Sequence, residues 1–211
     1  MPRPAFAPWD EREWPRLLSR EEGRRRVAIF AAVERRQAVL LEDWASTVTD
    51  PQLQTILRRH ARHAAWHADL WEGSVSDAAP GSDGESDLAV AAFLGKLAGA
   101  QGVIESLTGV YRVLVPRKVS AYTYYQRAIG TEGTEADWRW IELIVKDELD
   151  AVRDGELALQ SLFAAGDDAV GRSADRRAEL EAVMVQMGGL VGPDTLGLGG
   201  VARPQVGMEA T

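Results

Sequence analysis

Apolar residues recur three and four positions apart along most of the chain, the spacing of one helix face, while strand-like alternation is scarce. Val27, Phe30, Ala31, Ala38, Leu41, Trp44 and Val48 make the first such stripe and predict a long amphipathic helix over about residues 20–47. Ser19 precedes it in "SREE", where its hydroxyl can accept from the Glu22 N–H in a capping box. "TDPQLQ" restarts the chain almost at once: Asp50 can cap, and Pro51 sits where a missing N–H is harmless. Leu53, Leu57, His60, Ala64, His67 and Trp71 share the stripe of a second helix that stops near Gly73. So short a connection makes the first two helices antiparallel neighbours.

"GSVSDAAPGSDGESD" (73–87) reads as a polar crossover between hairpins, because neither half would bury its apolar stripes alone. A third helical run begins near Leu88 with a face of small residues, Ala91, Gly95, Ala98, Gly102 and Gly109, interrupted by Glu105. Leu97, Leu107, Val110 and Leu114 make its larger stripe, and Pro116 is expected to kink or divide it. Beyond a turn with Thr134 as cap, a fourth long helix carries Trp138, Ile141, Val145, Glu148, Val152, Leu159 and Phe163. A shorter helix is predicted over 176–187. The expectation is an all-α fold, a four-helix bundle with a long crossover and an extra short C-terminal helix. In this division residues 1–18 form a docked arm holding Trp9 and Trp14, 19–187 the bundle, and 188–211 a flexible Gly/Pro-rich tail.

Composition narrows the function classes. The 211 residues carry 24 Lys plus Arg against 32 Asp plus Glu, a formal net charge of −8, so no global attraction for nucleic acid or anionic lipid is expected. No cysteine is present, which excludes disulfides, thiolate metal sites and cysteine nucleophiles. The start lacks an apolar signal region and no stretch is long and apolar enough to span a bilayer, so a cytoplasmic protein is expected.

All three histidines lie in "RRHARHAAWHADLW" (58–71). His63 and His67 are four apart, the spacing at which one helix can offer two imidazoles to one ion, and His60 shares the inner stripe with His67. Three carboxylates also interrupt apolar stripes: Glu34, Glu105 and Glu148, the last with Asp147 beside it. Each long helix thus aims a titratable group inward near its middle, and a buried carboxylate needs a cation, a histidine or a metal. Arg35, Arg36, Arg112, Arg117 and Lys118 are the protein cations able to neutralise these acids. A metal, if taken, would be held by Glu34, His63, His67 and Glu148, with iron or manganese as the ions such donors suit. Trp66, Trp71, Tyr111, Tyr122, Tyr125 and Trp138 are candidates to wall an aromatic pocket for a small flat ligand.

The short-looped first hairpin, the inward Glu34 and "HARHAAWHADLW" resemble the first half of a ferritin-like helical bundle, over roughly residues 20–165. Family members with intact dinuclear sites carry a glutamate on the first helix and Glu-x-x-His on the second, and repeat the set in the second hairpin. The resemblance maps the first glutamate to Glu34 and the first histidine to His67. It puts Ala64 where the motif's glutamate belongs, and Ala151 three residues after Glu148 where the second histidine belongs. The family's usual interval back from Glu148 lands around Val115 to Lys118 and not on Glu105. The resemblance therefore implies a degenerate ligand set in a ligand- or partner-binding bundle, a homodimer being compatible. A metal-dependent oxidoreductase or oxygenase with a non-standard site is the alternative. A structural or nanocompartment-cargo role, drawn from "TLGLGGVAR" in the tail, is the third reading.

Overall fold

The computed structural model describes residues 18–74, 84–129, 135–164, 166 and 168–191. The regular structure in these residues is helical throughout: α1 (Arg20–Thr47), α2 (Pro51–Gly73), α3 (Gly84–Ala98), α4 (Val103–Leu107), a π segment (Thr108–Leu114), α5 (Val115–Ala128), α6 (Glu135–Phe163) and α7 (Ala169–Gln186). The Ser19 hydroxyl accepts from the Glu22 N–H at 3.1 Å. The Glu22 carboxylate in turn accepts from Arg25 and Arg26 one turn later. Asp50 caps α2 by accepting from the N–H groups of Gln52 and Leu53 at 2.8 and 3.3 Å. The three residues between α1 and α2 fold the pair back on itself, and this pairing is the most extensive among the described residues.

The third run differs from its expected form. It breaks at Gly99–Gly102, so Ala91, Gly95 and Ala98 on α3 do not continue into one face with Gly102, Glu105 and Gly109. Two glycines within four residues weaken the helix enough for the chain to change direction there. Past the break, α4, the π segment and α5 run on without interruption. The expected disruption by Pro116 is absorbed ahead of it: the Val115 N–H donates to the Val110 carbonyl, five residues back. That wide turn moves the carbonyl that a proline ring would otherwise strike, and it rotates everything after it relative to an unbroken α-helix.

α5 packs along α6, α2 shares an edge with α6, and α7 lies across the π segment, α3 and α4. The result is an all-α bundle with an added C-terminal helix, α7 starting seven residues earlier than expected. The core runs through Phe30, Leu41, Leu57, Trp71, Phe93, Leu97, Tyr111, Leu114, Tyr122, Ile144, Leu159 and Leu180, all sealed from solvent. Gly109 and Gly155 permit its closest approaches: a β-carbon on Gly109 would meet Leu97 and Leu180, and one on Gly155 would fall inside the Tyr111 ring.

Residues 1–17, Thr134 and 192–211 lie outside the described residues, and with them the docked arm, the expected cap and the cargo-like stretch. Leu18 donates its N–H to the Ala128 carbonyl. Past the boundary expected at residue 187, Leu190 and Val191 are buried, and the Val191 carbonyl accepts from Arg25 at 2.8 Å. Among the described residues no helix is long and apolar enough to cross a membrane.

Candidate functional site

Four helices deliver one buried ionisable group each to the middle of the bundle. Glu34 comes from α1, His67 from α2, Lys118 from α5 and Glu148 from α6, and none is more than 3% exposed. The Lys118 ammonium donates to Glu34 Oε2, Gln37 Oε1 and Glu148 Oε1, each at 2.7 Å. Three donors on a tetrahedral nitrogen meet three acceptors, so its hydrogen-bonding capacity is filled. The Tyr122 hydroxyl donates to Glu34 Oε1 at 2.7 Å.

His67 faces the same carboxylates from the other side. Its Nδ1 lies 3.3 Å from Glu148 Oε1 and 3.6 Å from Glu34 Oε1, while its Nε2 lies 3.3 Å from Asp147 Oδ2. Burial pushes the imidazole's pKa down, but Glu148 and Glu34 outweigh it and raise it to about 9. At neutral pH both ring nitrogens therefore carry hydrogen. Burial likewise pushes the Glu34 carboxyl up, and the Lys118 charge and His67 overcome it, holding Glu34 at about 2. Lys118 is held above its ordinary value by Glu148 and Glu34 despite its burial. Glu34 and Glu148 thus face one ammonium and one imidazolium, and Asp147 adds a third carboxylate on the outer side of the ring.

Glu34, His67 and Glu148 each offer a ligand atom within 4.8 Å of the others, a set able to coordinate a metal ion. His67 Nδ1 and Glu148 Oε2 lack a well-directed hydrogen bond, which leaves one ring nitrogen and one carboxylate oxygen of that triad incompletely matched. The cation that touches both carboxylates is nevertheless a side chain of the protein.

The other residues singled out in the sequence go elsewhere. His63 is 41% exposed on its side chain and lies 4.0 Å from Asp147, at the edge of the layer. His60 is buried one turn further along, with Nδ1 2.8 Å from the Tyr111 hydroxyl and Nε2 3.6 Å from Asp154. Glu105 turns away from the centre toward α7, where Arg172 lies 3.6 Å off beside an open cleft of about 430 Å³. Of the five cations named as able to neutralise the inward acids, Lys118 alone reaches them. Arg35 pairs with Asp69 and Glu72, Arg112 with Glu156, Arg117 with Glu181, and Arg36 is exposed.

The aromatic candidates likewise divide. Trp71, Tyr122 and Tyr125 interlock with Phe30 and Trp140 at centroid distances of 4.7–5.7 Å. Trp66 is 41% exposed, Tyr111 lies with His60, and half-buried Trp138 offers its carbonyl to Gln126. Gln37 joins the charged layer without a local signal that marks it as part of a site, and Tyr122, named for the aromatic pocket, joins it through its hydroxyl.

Comparison with protein-family models, with curated proteins and with solved structures finds no significant match to this chain.

Proposed function

We propose that the protein is a ferritin-like bundle in which the Lys118 ammonium takes the place of a metal cation, and that it works as a ligand- or partner-binding bundle. The observation that carries this reading is the triple contact of Lys118 Nζ with Glu34, Gln37 and Glu148. Lys118 also stands within the stretch where the family's interval back from Glu148 places a ligating glutamate. A cation there replaces an anionic ligand and supplies the charge that the remaining ligands need.

The residues do not fit a dinuclear centre. Two ions need several carboxylate oxygens to hold them and balance their charge. The triad here supplies two carboxylates and one imidazole, and Ala64 and Ala151 stand where further ligands belong. A second ion would also sit against a fixed ammonium group.

Elemental analysis of untagged protein, repeated after reconstitution with iron, manganese and zinc, tests the reading. The expected result is metal far below one equivalent under every condition. Two equivalents of iron or manganese would overturn it.

The alternative is a mononuclear metal-dependent oxidoreductase using Glu34, His67 and Glu148. The approach of Glu34, His67 and Glu148 ligand atoms to within 4.8 Å of one another favours it. It requires one equivalent of metal in the wild-type protein, lost in His67→Ala.

A further inference from the structure

One carboxylate beside the buried layer has no lysine or arginine partner. Asp150, Asp154 and Glu156 on α6 pair with Lys146, Arg59 and Arg112 respectively. Among the described residues, the ionic contacts of Asp147 are with imidazoles of α2 alone. Its Oδ2 lies 3.3 Å from His67 Nε2 and 4.0 Å from His63 Nδ1. The two histidines are four residues apart, neighbours on one helix face, with ring centroids 6.2 Å apart. From His67 through Asp147 to His63 the side chains are 1%, 17% and 41% exposed, so the group opens from the sealed layer to solvent at the α2–α6 edge.

The contacts decide which ring nitrogen is available. His67 Nδ1 faces Glu148 Oε1 at 3.3 Å and Glu34 Oε1 at 3.6 Å, which keeps a ring hydrogen on that side. Carboxylates placed behind an imidazole fix its orientation and raise the basicity of its other nitrogen, here Nε2. Two donor atoms each about 2.0–2.2 Å from one ion stand roughly 3 Å apart, so His67 Nε2 and Asp147 Oδ2 already have chelating spacing. His63 lies further out, and rotation about its exposed side-chain bonds brings a ring nitrogen to the same ion. Charge points the same way. With His67 protonated, Glu34, Glu148 and Asp147 face Lys118 and one imidazolium, an excess of one negative charge. A divalent ion in place of the Nε2 proton brings that sum to zero.

We propose that His63, His67 and Asp147 form a mononuclear site at the α2–α6 edge for a divalent ion that prefers imidazole, copper(II) above zinc, with water completing its coordination. The ion takes the ring nitrogen that points away from Glu34 and Glu148, so the site is separate from the centre that Lys118 fills. No ammonium or guanidinium of the described residues reaches Asp147 to compete for the position. Binding has to displace the Nε2 proton and draw His63 inward. Both costs weaken iron, manganese and zinc enough for them to leave when free metal is removed, so the low metal content expected above is unchanged. Binding at this edge is therefore read at equilibrium, with the ion that imidazole holds most tightly.

The test titrates untagged full-length protein with copper(II), glycine being present as a competing chelator, and reads binding by calorimetry and electron paramagnetic resonance. The wild type is expected to bind one equivalent and to give an axial spectrum split by two nitrogens. His63→Gln should leave one nitrogen and weaken binding at least about tenfold. Asp147→Asn should keep two nitrogens and weaken binding by about tenfold or more. His63→Ala repeats the first measurement should His63→Gln fail to fold. A spectrum and affinity unchanged in His63→Gln would overturn the proposal, because the ion would then lie elsewhere. Unchanged affinity in Asp147→Asn would mean an adventitious histidine pair only, and would overturn it as well. No copper binding by the wild type would also overturn it and would leave the Lys118 reading intact, since that reading is tested by iron, manganese and zinc content.

Discussion

Lys118 Nζ and Glu34 Oε2 lie 2.7 Å apart in a layer sealed from water, although 84 residues separate them in the chain. A buried ion pair contributes little net stability compared with a well-packed apolar pair, but removing one partner strands the other. Lys118→Met should therefore destabilise the fold by about 3–5 kcal/mol, since Glu34 and Glu148 keep their burial and lose their cation. The triple variant Lys118→Met, Glu34→Gln, Glu148→Gln removes the stranded charges and should recover a large part of that loss. Urea denaturation of the wild type and both variants measures this. Equal stabilities of the single and triple variants would contradict the stranded-charge account.

Much of this arrangement was legible in the chain and some of it was not. The helix starts at Ser19 and Asp50 are local events, set by a side chain reaching two or three residues ahead, and the sequence shows them directly. Glu34, His67 and Glu148 were legible as inward residues because each breaks an apolar stripe on an unbroken helix. Glu105 breaks a stripe too, yet it faces α7. The chain breaks at Gly99–Gly102 and then winds through a π turn, so spacing counted across that region loses its meaning. The same shift hides Lys118. Its neighbour Arg117 is 41% exposed on its side chain, and nothing next to either residue tells which cation enters the core.

Gly155 and Tyr111 define the tightest approach in the second half of the bundle. A β-carbon on Gly155 would overlap the base of the Tyr111 ring, which is fixed by packing and by its bond to His60. Gly155→Ala in the middle of α6 should gain about 1 kcal/mol of helix propensity on an exposed face. Here it should instead destabilise by about 1–3 kcal/mol net, the usual effect of overfilling a packed core. Thermal denaturation of Gly155→Ala reads the sign. Tyr111→Phe should not relieve the effect, because the overlap is with the ring and not the hydroxyl.

The surface ion pairs should behave oppositely to the buried one. Arg35 bridges Asp69 and Glu72 at 2.6 and 2.7 Å, but all three side chains are 44% or more exposed. Solvent screens such pairs, so Arg35→Ala should change stability by less than about 1 kcal/mol. Asp50→Ala, which removes two N–H partners at the start of α2, should cost about 1 kcal/mol even though Asp50 is exposed. The two single variants, measured in one buffer, should therefore rank Asp50→Ala as the more damaging.

The pH dependence of stability follows from groups whose pKa changes on folding. Glu34 is depressed from 4.5 to about 2 and His60 from 6.5 to about 4. For both, the folded state binds its proton less readily than the unfolded chain, so their stabilisation is present at neutral pH and lost on acidification. His60 should begin to act below pH 6.5, as a ring buried neutral is forced to charge, and Glu34 below pH 4.5, as its partners lose their carboxylate. His67 has the opposite sign. Its pKa rises from 6.5 to about 9, so its contribution is complete below pH 6.5 and declines as pH climbs toward 9. The melting temperature should therefore peak near pH 6.5 and fall on both sides, with separate causes for the two limbs. His67→Gln removes the charged form and should flatten the alkaline limb between pH 6.5 and 9, keep the His60 part of the acid limb, and change the Glu34 part below pH 4.5, to which His67 contributes. His60→Gln should soften the acid limb between pH 6.5 and 4 and leave the alkaline one unchanged. Melting curves of the three proteins across this range measure both effects. An alkaline limb that persists in full in His67→Gln would mean that the imidazolium is not what the buried carboxylates hold.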